Sequence, residues 1–108
     1  MNEGKDHQLT IKRVGDKWKV FLTGDPTGKV KAKKKDKITW YADGSDVFFE
    51  FMDDKLFGKY KDKLKAGKHL KLPITEGADS GKHKYAVFCL ADLEFADGDS
   101  PPEIDITD

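Results

Sequence analysis

The sequence predicts an all-β domain, a Greek-key antiparallel β-sandwich of about eight short strands with one short peripheral helix. Three observations carry that prediction. Apolar residues alternate at period two through most of the chain, and breaks rich in glycine, proline and aspartate separate the runs. The third is size: 108 residues with a single cysteine leave no disulfide framework, so stability must come from packing. A chain this long supports one core and no second domain, and positions 1–108 are read as one unit with its ordered core over about 9–106.

The strands follow in order. Leu9 and Ile11 share one face of the first, and Trp18, Val20 and Leu22 alternate with Lys17, Lys19 and Phe21 in the second, until Gly24-Asp25-Pro26-Thr27-Gly28 breaks the run. Val30 and Ala32 alternate with Lys29, Lys31 and Lys33, the pattern of a strand with one buried face and one row of lysines in water, and Lys34 to Lys37 turns the chain. Ile38 and Trp40 open a strand closed by Ala42-Asp43-Gly44-Ser45-Asp46, and Val47, Phe49 and Phe51 line one face of the next. Leu70, Leu72 and Ile74 form another behind Ala66-Gly67, and His83 to Leu90 and Glu103 to Ile106 complete the set. Only Asp54 to Leu64 spaces its apolar residues (Leu56, Phe57, Tyr60, Leu64) near a helical repeat, so the peripheral helix is placed there.

Net charge is zero, from 20 basic and 20 acidic side chains, yet the charges are segregated. Residues 29 to 71 hold 13 Lys against 7 acidic residues, whereas residues 72 to 108 hold 2 Lys against 9. Such a chain has either a dipolar surface or two patches that neutralise each other in space. No apolar run approaches the roughly 18 residues of a membrane span, and the polar start Met1 to Asp6 lacks the apolar centre of a secretory signal. The expectation is a cytoplasmic protein as written, periplasmic or extracellular if a signal has been removed, with no membrane partner.

Three features in order resemble the cupredoxins, the blue-copper fold of plastocyanin-like proteins. Lys37-Ile38-Thr39-Trp40 is an aromatic strand end followed by a loop and by Asp46-Val47-Phe48-Phe49-Glu50-Phe51. Leu64-Lys65-Ala66-Gly67-Lys68 is similar to the family's glycine turn before a late strand, and Ser80-Gly81 with Tyr85-Ala86-Val87-Phe88-Cys89 resembles the approach to its copper-bearing loop. A loop through Pro101-Pro102 into Glu103-Ile104-Asp105-Ile106 is similar to its ending. The resemblance spans about Leu9 to Ile106.

The resemblance also implies what to look for at the metal end. A blue-copper centre takes two imidazoles and a thiolate, with a weak axial ligand that is often methionine. Carried across residue by residue, only Cys89 matches: the first histidine's position falls near Val47, and Leu90 to Ser100 contains neither histidine nor methionine. His83 shares strand parity with Cys89 but stands roughly 20 Å from it at about 3.3 Å per residue, too far to share a metal. His7 is placed in a mobile N-terminus, His69 lies elsewhere in the pattern, and Val47, Phe49 and Val87 are expected to fill the centre with core. The resemblance therefore implies a copper-free relative with no cofactor.

Cys89 sits among Val87, Phe88, Leu90 and Ala91, a setting for a buried, inert thiol rather than a nucleophile, and no recognisable nucleophile loop joins it to His69 or His83. Lys33, Lys34 and Lys35 within Lys29 to Lys37 form a candidate weak anion patch, although lysines on an edge strand also deter aggregation, and a nucleic-acid partner is disfavoured without a recognition motif. The acids from Asp92 to Asp99 lack the spacing of a calcium loop. Strand parity turns Phe48 and Phe88 away from the core, and with Leu93 and Phe95 they form the candidate interaction surface. No P-loop, dinucleotide, nucleophile-elbow or zincin motif is present, so no enzyme is expected. The expectation is a monomeric, copper-free binding or interaction module with an unknown protein partner. The alternative is a copper-binding or electron-transfer protein with a non-standard site that includes Cys89.

Overall fold

The structure is a computed structural model that describes residues 4–22, 29–96 and 102–107. Ten strands follow one another: β1 (Asp6–Val14), β2 (Lys17–Leu22), β3 (Lys29–Ala32), β4 (Lys37–Ala42), β5 (Val47–Phe51), β6 (Lys61–Leu64), β7 (His69–Pro73), β8 (Gly81–Cys89), β9 (Glu94–Phe95) and β10 (Glu103–Ile106). They form two sheets, one ordered β2-β1-β4-β7 and the other β3-β10-β8-β5-β6, with β9 added to β8. The predicted runs are all there, and two short strands, β6 and β9, join them.

Strand parity decides what lies between the sheets. Val47, Phe49 and Phe51 on β5 are buried while Phe48 and Glu50 face outward, and Tyr85, Val87 and Cys89 repeat the pattern on β8. Leu9 and Ile11, Trp18 and Val20, and Ile38 and Trp40 close the core from the other sheet. β1 and β2 form a hairpin whose register pairs Val14 with Lys17, leaving Gly15-Asp16 as a two-residue loop. Gly15 supplies its positive φ of 66° at the first loop position, where the right-handed twist of the strands requires it.

Two expectations are corrected. The sheets are mixed, because β1 pairs with β4 and β3 with β10 in parallel. Hairpin turns force sequence neighbours to run antiparallel, but β1 and β4 are joined through two other strands, and no turn dictates their direction. The peripheral helix is also absent: among the described residues there is no helix, and Asp54 to Leu64 is divided between turns and β6. The Asp53 carboxylate accepts from Lys55 N (2.9 Å) and its carbonyl from Leu56 N (3.2 Å). Gly58 then reverses the chain at φ 80°, and Leu56 O accepts from Thr75 N (3.1 Å), while the Thr75 hydroxyl donates to the Lys55 carbonyl. These bonds take the carbonyls a helix would use, and Leu56 and Phe57 enter the core from a turn.

Trp40 is the centre of that core. It is fully buried on β4, with ring centroids 4.9 Å from Phe49, 5.6 Å from Phe57 and 5.7 Å from Tyr85, so one side chain of the first sheet contacts two strands of the second. Its indole N–H donates to the Tyr85 hydroxyl at 3.0 Å, inside the apolar layer. Burial pushes the Tyr85 phenol well above its usual range, outweighing the donated Trp40 N–H, so the hydroxyl stays neutral. Substituting Tyr85→Phe leaves the buried N–H without its acceptor and is expected to cost about 1–3 kcal/mol in urea unfolding. A loss under about 0.5 kcal/mol would mean that the bond contributes nothing net.

Candidate functional site

The end of β8 is where the resemblance places a metal, and each group there already has a structural task. Cys89 has no exposed surface and lies between Val47 on β5 and Glu94 on β9. The chain beyond it is clamped by the preceding turn of β5: Leu90 N donates to Asp46 O (3.0 Å), and Ala91 N donates to the hydroxyl of buried Ser45 (2.9 Å). The Asp46 carboxylate accepts from Ala66 N at 2.8 Å and ties in the turn before β7. Asp92 reaches the other sheet, where its Oδ2 accepts from the Trp18 indole N–H at 2.6 Å and from Arg13 Nη1 at 3.1 Å.

These contacts leave Cys89 without metal partners. Among the described residues no group of three or more His, Cys, Asp or Glu side chains could hold a metal ion. His83 Nε2 lies 2.7 Å from Asp79 O, and the His69 ring packs at a tilt against Tyr41 with centroids 4.8 Å apart. His7 belongs to β1 rather than to a mobile terminus, because its Nε2 bonds the Asp36 carboxylate at 2.8 Å. Burial pushes the Cys89 thiol up to about 12, and the carboxylates of Asp92 and Glu94 add to the rise. A copper thiolate must form against all three effects. The residues present do not fit a blue-copper centre, and Val47, Phe49 and Val87 fill the space as core.

The opposite face of the same strands carries the aromatic row. Phe48 pairs with Phe88 across β5 and β8, and Phe88 pairs with Phe95 across β8 and β9, with those two rings edge to face at 5.1 Å. Phe88 is half-buried between Phe48 (47% exposed) and Phe95 (55%), and Leu93 projects further at 70%. Leu93 adopts φ 54°, a left-handed conformation that suits glycine rather than a branched side chain. Beside the row runs a groove of about 370 Å³, floored by Ala86 and the rings and edged by Glu50, Lys61 and Asp62. Sequence parity found Phe48 and Phe88, but β9, which brings Phe95 into line, is two residues long and has no periodicity to detect.

Lys33, Lys34 and Lys35 are exposed on the turn between β3 and β4, and β3 is a sheet edge as its lysine row predicts. Lys35 Nζ pairs with Glu76 at 3.1 Å. Asp36 closes the turn: its carboxylate accepts from Lys33 N (3.0 Å), Lys5 N (2.9 Å) and His7 Nε2 (2.8 Å). Burial opposes its charge, but bonds from His7, Lys33 and Lys5 prevail and hold the carboxyl below the usual range.

No protein-family model matches the sequence, and no curated protein is recognisably similar to it. Solved structures are similar in fold. A reduced Cu(I) form of an amicyanin variant at pH 4 superposes with a TM-score of 0.56 at 15% identity, over 99% of this chain and 86% of that one. The reduced state of a second amicyanin variant gives 0.53 at 13% identity, over 93% and 82%. A third variant, in its Cu(I) form, gives 0.53 at 14% over the same shares. The chain has a cupredoxin-like fold, and among the described residues its Cys89 end lacks the ligands of a copper centre.

Two outcomes follow from this geometry. Native protein at about pH 8 should leave Cys89 unmodified by a disulfide reagent while denatured protein reacts fully, and equal rates in both states would contradict the raised thiol pKa. Because the Asp36 pKa is depressed from 3.8 on folding, its bonds stabilise the fold above that value, and the contribution is lost as pH falls through the folded pKa. Asp36→Asn should therefore lower the denaturant midpoint at about pH 7 and flatten its decline below about pH 4; parallel curves for the two proteins would refute the assignment.

Proposed function

We propose that this chain is a copper-free, non-enzymatic binding module that uses a cupredoxin-like scaffold to present the row Phe48, Phe88 and Phe95, with Leu93, to the apolar surface of a protein partner. The observation that carries the reading is the alignment of three rings across three adjacent strands on a solvent face. Isolated exposed aromatics are ordinary, whereas a contiguous row beside a groove is the arrangement of interface centres, where aromatic anchors dominate. Glu50, Lys61 and Asp62 supply a polar rim of both signs. Leu93, held at φ 54° with its side chain in water, supports the same reading, since backbone strain collects where a side chain must be presented.

The amicyanins of similar fold are described in Cu(I) forms, so a copper function is the competing reading. Titration of the reduced protein with Cu(I) and Cu(II) should give no intense visible band and no shift of the Cys89 amide. A band that vanishes in Cys89→Ser would overturn the copper-free half of the proposal. For the binding half, ligands selected from a random peptide display library should bind Phe48→Ser/Phe95→Ser roughly tenfold more weakly while the variant's unfolding midpoint is unchanged. Ligands indifferent to that variant would place recognition elsewhere.

A further inference from the structure

A recess of about 600 Å³ lies where the N-terminal segment of β1 crosses the turn between β3 and β4, and its lining is overwhelmingly basic. Lys5 comes from one side, Lys31 from β3, and Lys33, Lys34 and Lys35 from the turn, with His7 and Thr107 completing the wall. Its volume falls within the range of small-molecule sites, roughly 300–1,000 Å³.

The recess is built rather than incidental. Lys5 N bonds the Asp36 carboxylate and Lys37 N bonds Lys5 O at 2.7 Å, which fastens the two walls together. A Cβ on Gly4 would stand 2.0 Å from the Lys35 carbonyl oxygen, so only glycine lets the segment lie this close. Lys35 itself turns the corner at φ 74°, where a lysine is strained.

The charges are left open to a ligand. The one carboxylate in the lining, Asp36, is consumed by three donors and presents little free acceptor capacity. Lys35 has Glu76, but no ion pair engages Lys5, Lys31, Lys33 or Lys34 among the described residues. Like charges gathered around one concavity repel each other and concentrate counter-anions. Among the described residues no Phe, Tyr or Trp lines the recess, and its one ring, His7, is bonded to the Asp36 carboxylate, so the recognition on offer is chiefly of phosphate oxygens by the lysines.

We propose that this recess is a binding site for a small molecule carrying two or more phosphate groups, held by Lys5, Lys31, Lys33 and Lys34. The site is independent of the aromatic row on β5, β8 and β9. The probe is inorganic tripolyphosphate, titrated at physiological ionic strength and followed by backbone amide shifts, with NaCl of matched ionic strength, orthophosphate and a single-stranded oligonucleotide as parallel arms. The expected result is saturable shifts confined to Lys5, His7, Lys31 to Asp36 and Thr107, weaker binding of orthophosphate, and roughly tenfold weaker tripolyphosphate binding by Lys33→Gln/Lys34→Gln. That variant should unfold at no lower temperature without ligand, since it relieves repulsion, and should lose the ligand-induced rise in Tm. Shifts reproduced by NaCl, shifts spread over the lysines of β6 and β7, or tighter binding of the oligonucleotide would each overturn the proposal.

Discussion

The structure depends on Trp40 being buried between the sheets with its one polar atom satisfied. The ring belongs to β4, and its neighbours Phe49, Phe51 and Tyr85 belong to β5 and β8, so its packing fixes how the sheets stack. Truncating a side chain of this size in a core costs about 3–5 kcal/mol, a large share of a small domain's stability. Once β5 and β8 turn Phe49, Phe51, Tyr85 and Val87 toward Trp40, alternation leaves Phe48 and Phe88 no place but the outer face. The interior therefore creates the exterior row.

At the end of β8 backbone and side-chain hydrogen bonds hold the chain where the residues present do not fit a copper centre. Val47 stands opposite Cys89 in register, and the Ser45 hydroxyl beside it accepts from Ala91 N. The carboxylates of Asp92 and Glu94 oppose thiolate formation, and Asp92 also joins the two sheets through Trp18 and Arg13. A loop held by that many bonds positions β9, and with it Phe95, against β8. The clamp thus serves the aromatic face.

The charge segregation along the chain resolves in two ways. Part of it neutralises in space: Glu76 pairs with Lys35, and Asp92 pairs with Arg13. Another part concentrates at the turn between β3 and β4, where Asp36 is occupied internally and Lys31, Lys33, Lys34 and Lys35 line one recess. Zero net charge coexists with a strongly basic concavity because Coulomb fields depend on placement, not on totals.

What the sequence determined by itself is local: the all-β class, the strands with alternating residues, the inward set around Cys89, the outward parity of Phe48 and Phe88, and the absence of histidine and methionine after Cys89. Each follows from side-chain alternation or residue type, which neighbouring positions establish. Tertiary structure decided the rest. Asp54 to Leu64 has helical spacing, but Asp53 and Thr75 take its backbone bonds, and Thr75 lies beyond any local window. The parallel pairing of β1 with β4 and the gathering of Lys5 with Lys31 to Lys35 arise from segments far apart in the chain, and Phe95 joins the row through a strand too short to show a period. Periodicity assigns a residue to a face, and only the closing of the chain upon itself assigns that face a neighbour.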